Sequence, residues 1–330
     1  MGDTVINLQF TTFTVPLPDF IYDGIKEYCR NANGYQPQPQ ILVDRLAAKH
    51  AIPKGMIYLT AGADEAINAF ALAYGKQTYI FTPTYIVYDG MKHFYAHVTA
   101  IDSLHNNAYT IPTDTIPDAT LIVLANPNNP CGFTTREKVI ELIQHNPQAI
   151  VVIDEVYAEF SDLSVLAETK RFKNLAVLRS FSKSYGMAAA RVAYITAHPE
   201  VIAAIQNKTQ WANVSYLSIG AAMSALNHEE YFTNLISDII SRRDDFIRYL
   251  NTGGFTVLPS RINAVLIRFE TTKEGTLFAE YLQNQKFIVS HGNGHSNVGL
   301  DARFVRISIG TEEEMRAIHT AITQYHLKQP

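Results

Sequence analysis

The chain has 330 residues, 47% of them hydrophobic, with 27 basic and 31 acidic side chains and a formal net charge of −4. That length buries one large or two medium cores, and the near-balanced charge points away from a nucleic-acid partner. Cys29 and Cys131 are too few for a disulfide framework, residues 1–5 lack the basic-then-apolar pattern of a secretory leader, and no apolar run reaches membrane-spanning length, so a cytoplasmic protein without membrane contact is expected.

Pro16 and Pro18 interrupt regular structure near the start, and a helical pattern covers about 20–31. Asn33-Gly34-Tyr35-Gln36-Pro37-Gln38-Pro39 reads as a loop and 41–49 as a helix. Residues 57–60 read as a strand, Ala61-Gly62 as a turn, and Ala63-Asp64-Glu65 as the opening of a helix to about 74. Such a junction aims free amides and a positive helix end at one point, where an anion binds; taken alone it is a capped helix and no more. Residues 77–81 form a short strand leading to Thr82-Pro83-Thr84-Tyr85. The unbroken apolar run 121–124 is a strand buried on both faces. Two Asn-Pro steps within 126–130 then make a rigid turn.

After a helix near 135–144, residues 149–153 form another buried strand, with Asp154-Glu155 directly behind it. Carboxylates in that place are costly unless partnered, so they either cap a helix or build a site. The strand 175–178 runs into Ser180-Phe181-Ser182-Lys183, with Arg191 eight positions on. A lysine after a strand is ordinarily a solvated surface group. The end of an interior strand, however, is where α/β folds build ligand sites, and a desolvated lysine there is an amine nucleophile. A strand at 192–195, a helical outline over 202–225 holding Trp211, and a long helix at 231–251 follow. Strands near 253–257, 263–269 and 287–290, with a helix at 276–283, suggest an α+β unit. His291-Gly-Asn-Gly-His295 lacks the third glycine and the helix of a dinucleotide fingerprint, and its two histidines have no further ligand at metal spacing; no metal is expected, and a loop beside the site is. Arg306 lies in a strand pattern, and its planar fork suits a carboxylate or a phosphate. A helix at 312–325 ends the chain.

Five of these segments, in this order, resemble those of class I and II aminotransferases, pyridoxal-phosphate enzymes of fold type I, and among them the histidinol-phosphate aminotransferases. The resemblance implies that Lys183 carries the cofactor and serves as general base and acid. It implies that Gly62, Ala63 and Asp64 hold the cofactor phosphate through their amides, and that Ser180, Ser182 and Arg191 also contact the cofactor. Tyr85 would stack on the pyridine ring, Asn129 and Tyr157 would hydrogen-bond its ring oxygen, and Asp154 would keep its nitrogen protonated. Arg306, with Asn129, would bind the substrate. Tyr35 would reach across a homodimer to the partner's cofactor phosphate, so the active sites would be shared.

The implied fold is α/β: a large domain over 30–210 around a mostly parallel seven-stranded sheet, and a smaller α+β domain from 1–29 and 211–330. An amino donor and a 2-oxo acid acceptor are the expected partners. The chain departs from the family at Gln36, Cys131, Ala189 and Ala193, at Ser290, where relatives carry a phosphate-binding arginine, and at 12–16, where Asn-Glu-Asn-Pro is missing. Gly299-Leu300-Asp301 with Arg303, and Gln210-Trp211, are also similar to threonine-phosphate decarboxylases. Three readings stay open: an aminotransferase, a decarboxylase or lyase on the same fold, and a non-enzymatic protein of that fold.

Overall fold

The computed structural model describes residues 5–94 and 97–327. Its main sheet has seven strands: β1 Ile57–Thr60, β2 Thr78–Thr82, β3 Val98–Asp102, β4 Leu121–Ala125, β5 Ile150–Asp154, β6 Leu175–Ser180 and β7 Ala193–Ala197. They lie in the order β1-β7-β6-β5-β4-β2-β3. Only β7 runs against its neighbours; every other pair is parallel. Strands β4, β6 and β7 are buried along their whole length, as unbroken apolar runs covered by helices on both faces require. Strand β3 escapes sequence reading because it is an edge strand with a mostly exposed Val-Thr-Ala-Ile-Asp run. All the parallel strands end at one edge of the sheet, and Gly62, Tyr85, Asn129, Tyr157 and Lys183 follow five of those ends.

A second, antiparallel sheet joins β8 Thr256–Leu258, β9 Ala264–Arg268, β10 Ser290–His291 and β11 Phe304–Ser308 in the order β8-β9-β11-β10. Its side chains alternate between faces. Val265, Ile267, Val305 and Ile307 point into a core shared with helices Glu229–Thr252, Thr272–Asn284 and Glu312–Leu327. Leu266 and Phe304, on the other face, pack toward Cys131 of the rigid turn after β4. Arg306 shares their face.

Two expectations need correction. The helical outline over 202–225 is two helices, Pro199–Gln206 and Tyr216–Asn227. Asn213 breaks the run because its side-chain amide is held by the Leu59 carbonyl and the Glu65 carboxylate. The strand at 287–290 is two short pieces with different partners: Phe287–Ile288 pairs with Ile6–Asn7, and Ser290–His291 with β11. For the division at 1–29 and 211–330 we propose a shift. Ile21, and Ile219, Ala222 and Leu226, belong to the core of the large sheet, because helices Asp19–Cys29 and Tyr216–Asn227 cross where Gly24 faces Gly220. A Cβ on Gly24 would come within 2.8 Å of the Gly220 carbonyl oxygen. We propose a boundary inside helix Glu229–Thr252, whose Phe232 sits in the first core and whose Ile236 sits in the second.

Candidate active site

A cavity of about 480 Å³ opens at the strand-end edge, between the two sheets. Lys183, Asp154, Tyr157, Asn129, Tyr85 and Arg306 line it, and so do Ala63, Asp64, Ser180, Ser182 and Arg191. Gly62 stands just behind, in the left-handed region at φ +82; a Cβ there would meet the Arg191 guanidinium at 2.3 Å. Tyr35 is elsewhere, 84% exposed and 5.7 Å from the ring of Trp211, which is itself 68% exposed.

Each group is positioned by its element. Helix Ala63–Tyr74 begins at Gly62 with no side chain capping it, so its first amides remain available to an anion. Arg191 donates to the Asp64 carboxylate at 3.0 Å and Tyr85 donates to it at 3.2 Å. Asn129 is fixed by the turn around it: the Asn128 amide donates to the Pro83 and Cys131 carbonyls at 2.8 and 2.7 Å.

Asp154 ends β5 fully buried. Burial pushes its carboxyl up to about 6, although the Tyr88 hydroxyl donates to it at 2.6 Å and the Val156 amide at 3.0 Å. Tyr88→Phe removes a donor that favours the ionised form. The titration midpoint of Asp154 is expected to rise by roughly one unit, read by infrared spectroscopy of the carboxyl stretch in cofactor-free protein. An unmoved midpoint would remove Tyr88 from this role.

Lys183 sits in the short turn Phe181–Ser184, which Ser180 caps by accepting the Ser182 amide. Its amine donates to Thr11 Oγ1 at 2.9 Å and lies 5.7 Å from the centre of the Tyr157 ring. Burial, helped by the charge of Arg306, pushes the Lys183 amine down to about 8, against the pull of Asp64 and Asp154. The Tyr157 hydroxyl shares a 2.7 Å hydrogen bond with Thr11 Oγ1, and burial pushes it up to about 12. Arg306, 2% exposed, donates to Asn129 Oδ1 at 2.6 Å and to the Gln9 carbonyl at 2.5 Å.

Behind β6 a buried ion network joins the ends of two strands. Arg179 donates to Glu155 and Glu159 at 2.8 Å each and to Ser164 at 2.8 Å, and the Ser184 hydroxyl donates to Glu159. Glu155 follows Asp154 and Ser184 follows Lys183, so the network ties the acid and the amine of the cavity to one scaffold.

This donor set fits pyridoxal phosphate. Open helix amides, two serine hydroxyls and Arg191 suit a phosphate, a buried carboxylate suits a ring nitrogen, and a lysine with a lowered pKa suits an aldehyde carbon. Sequence reading missed Thr11, Tyr88 and Ser296 as cavity or neighbouring groups, whereas the loop 291–295, expected beside the site, does bring His295 to the cavity wall. Tyr88 stands one helical turn beyond Tyr85, a spacing that could have marked it. Thr11 stands just before the stretch 12–16, where the family motif is missing, so no pattern marked it. His295 and Ser296 line the cavity because the segment 290–298 is pinned at both ends, by β11 and by Thr84–Tyr85.

The profile of the family "Aminotransferase class I and II" matches residues 5–322. A histidinol-phosphate aminotransferase of Geotalea daltonii is 27% identical, the match covering 89% of this chain and 90% of that one. A dihydroxyacetone phosphate transaminase of Campylobacter jejuni is 29% identical, covering 98% and 91%. Among solved structures, the L-threonine-O-3-phosphate decarboxylase of Porphyromonas gingivalis superposes with a TM-score of 0.85 at 26% identity, covering 98% of this chain and 100% of that one. With this cavity and this match over nearly its whole length, the chain belongs to the class I and II aminotransferases, enzymes that work with pyridoxal phosphate.

Proposed function

We propose that the enzyme exchanges an amino group between a donor bearing an anionic group, held by Arg306, and a 2-oxo acid, and that Lys183 is its acid–base group. The observation that carries this reading is that the Lys183 amine and the buried Arg306 guanidinium wall one cavity. Bound pyridoxal phosphate supplies an electron-withdrawing ring that weakens the bonds of the amino-bearing carbon. The residues around it divide the remaining work. Ala63 and Asp64 amides, Ser180, Ser182 and Arg191 hold the phosphate. Asp154 holds a proton at the ring nitrogen, Tyr85 packs on the ring face, and Asn129 and Tyr157 bond its oxygen. Lys183 Nζ would take the α proton of the donor and deliver it to the cofactor carbon that had been the aldehyde, as amino transfer requires. Arg306 orients the donor through two parallel N–H groups.

The three relatives all carry a phosphorylated compound in their names, whereas Ser290 here offers no second cation. A panel of donors settles the choice: histidinol phosphate, O-phosphothreonine and unphosphorylated amino acids, each added to the yellow holoenzyme. One donor is expected to bleach the visible band while its keto product appears. If no donor on the panel does so, the transamination reading loses its support. The likeness to the threonine-phosphate decarboxylase favours a second reading, which carbon dioxide release in place of a keto acid would establish.

A homodimer completes the reading. The exposed Tyr35 and Trp211 form an aromatic face, away from their own cavity, that suits a second copy, with Tyr35 reaching the partner's phosphate site. Both cysteines are unpaired, and among the described residues no helix is long and apolar enough to cross a membrane; these facts support a cytoplasmic location.

A further inference from the structure

We infer that Thr11 is a positioning residue for Lys183: its hydroxyl docks the free amine and links it to Tyr157. The inference rests on the reading of Lys183 as the acid–base group. Thr11 belongs to no helix or strand, yet it is 4% exposed and held from both sides. Before it, the Leu8 amide donates to the Ile288 carbonyl at 2.8 Å, the Ser308 amide donates to the Leu8 carbonyl at 3.0 Å, and Gln9 takes Arg306. After it, the Phe13 ring packs against Gly186, where a Cβ would come within 2.5 Å of it, and the Thr14 hydroxyl donates to Glu314 at 2.6 Å. Residue 11 therefore has one place to be, and its Oγ1 lies 2.9 Å from Lys183 Nζ and 2.7 Å from the Tyr157 hydroxyl.

A hydroxyl has one proton and two lone pairs. When Lys183 is an ammonium it donates to Thr11, which passes its own proton toward Tyr157. When Lys183 is a neutral amine the chain reverses: Tyr157 donates to Thr11, and Thr11 donates to the amine. Both protonation states of the lysine are thus held in one position, which a group that takes up and returns a proton requires. The bond is stronger when the lysine is charged, so the hydroxyl favours the ammonium. Its loss lowers the pKa of Lys183 further.

The test uses full-length protein stripped of cofactor and reads the pH dependence of the rate at which pyridoxal phosphate is captured, by stopped-flow absorbance. The wild-type midpoint is expected near that of the Lys183 amine. Thr11→Val, which keeps the shape, should move it down by on the order of half a unit; Thr11→Ser should restore it. Should Thr11→Val not be recovered folded, Thr11→Ala is expected to give the same downward move. A midpoint unchanged in the valine or alanine variant, or displaced equally in the serine variant, overturns the proposal. Lys183→Ala separates the two levels of inference: capture that persists with the lysine removed defeats the reading of Lys183 itself, whatever Thr11 does.

Discussion

Lys183→Ala is expected to lower turnover of the identified donor by about 10⁴-fold or more, the upper end of what one acid–base group contributes, because a covalent anchor is lost with the same side chain. Folding should be spared. The amine makes one side-chain hydrogen bond, to Thr11, and the turn that carries it is capped by Ser180 rather than by the lysine. Steady-state rates and a thermal melt on the same preparation separate the two effects. The wild-type protein makes a companion prediction. Its amine is pushed down to about 8, so at pH 7 roughly one lysine in ten is neutral. Capture of pyridoxal phosphate by cofactor-free protein should rise about tenfold from pH 7 and level off above pH 9. An unperturbed lysine would go on rising past pH 10. Turnover unchanged in the alanine variant would sink the assignment of Lys183; a capture rate still climbing at pH 10 would sink the electrostatic account of it.

Arg179→Ala should be the most damaging single change to stability among the residues around the cavity, about 3–5 kcal/mol. Glu155 is fully buried, and it accepts Arg179, the Ser164 hydroxyl and the Val165 amide. With the guanidinium gone, the buried Glu155 carboxylate is left without its cation and next to the half-buried Glu159, so water must enter or the strand ends must part. Because Asp154 and Lys183 are chain neighbours of Glu155 and Ser184, activity should fall before the protein unfolds. Urea denaturation followed by fluorescence and by activity reads both. Arg179→Met combined with Glu155→Gln removes charge on both sides and should recover most of the loss. An alanine variant as stable as the wild type would show that water already reaches this network.

The sheet was legible where strands are buried on both faces. The apolar runs 121–124 and 175–178 can be little else, and the polar residues after them marked the site. Strand β3 was not legible, since an edge strand with exposed threonine and aspartate has no apolar signature. The break at Asn213 was hidden because its cause is a contact with Leu59 and Glu65, some 150 residues away in sequence. Most cavity residues found in advance stand at or after strand ends; Arg306, within β11, and Arg191, ahead of β7, came from the family resemblance. Thr11 and Tyr88, which were missed, act through a hydroxyl that touches another side chain; the helical spacing from Tyr85 could have marked Tyr88, but no spacing displays the contact of Thr11. Tyr35 had the opposite fate: the motif named it, while its place in a single chain is on the open surface.

The stitching of Leu8 and Gln9 to β11 has a consequence for how the enzyme is made. Arg306 and Gln9 are 297 positions apart in sequence, so Leu8 and Gln9 lack these partners until β11 has been synthesised. The large sheet can close long before that, and contacts of such high separation form slowly. The wall of the cavity that Gln9 and Arg306 share is therefore completed only after β11 has been made, well after the turn that carries Lys183.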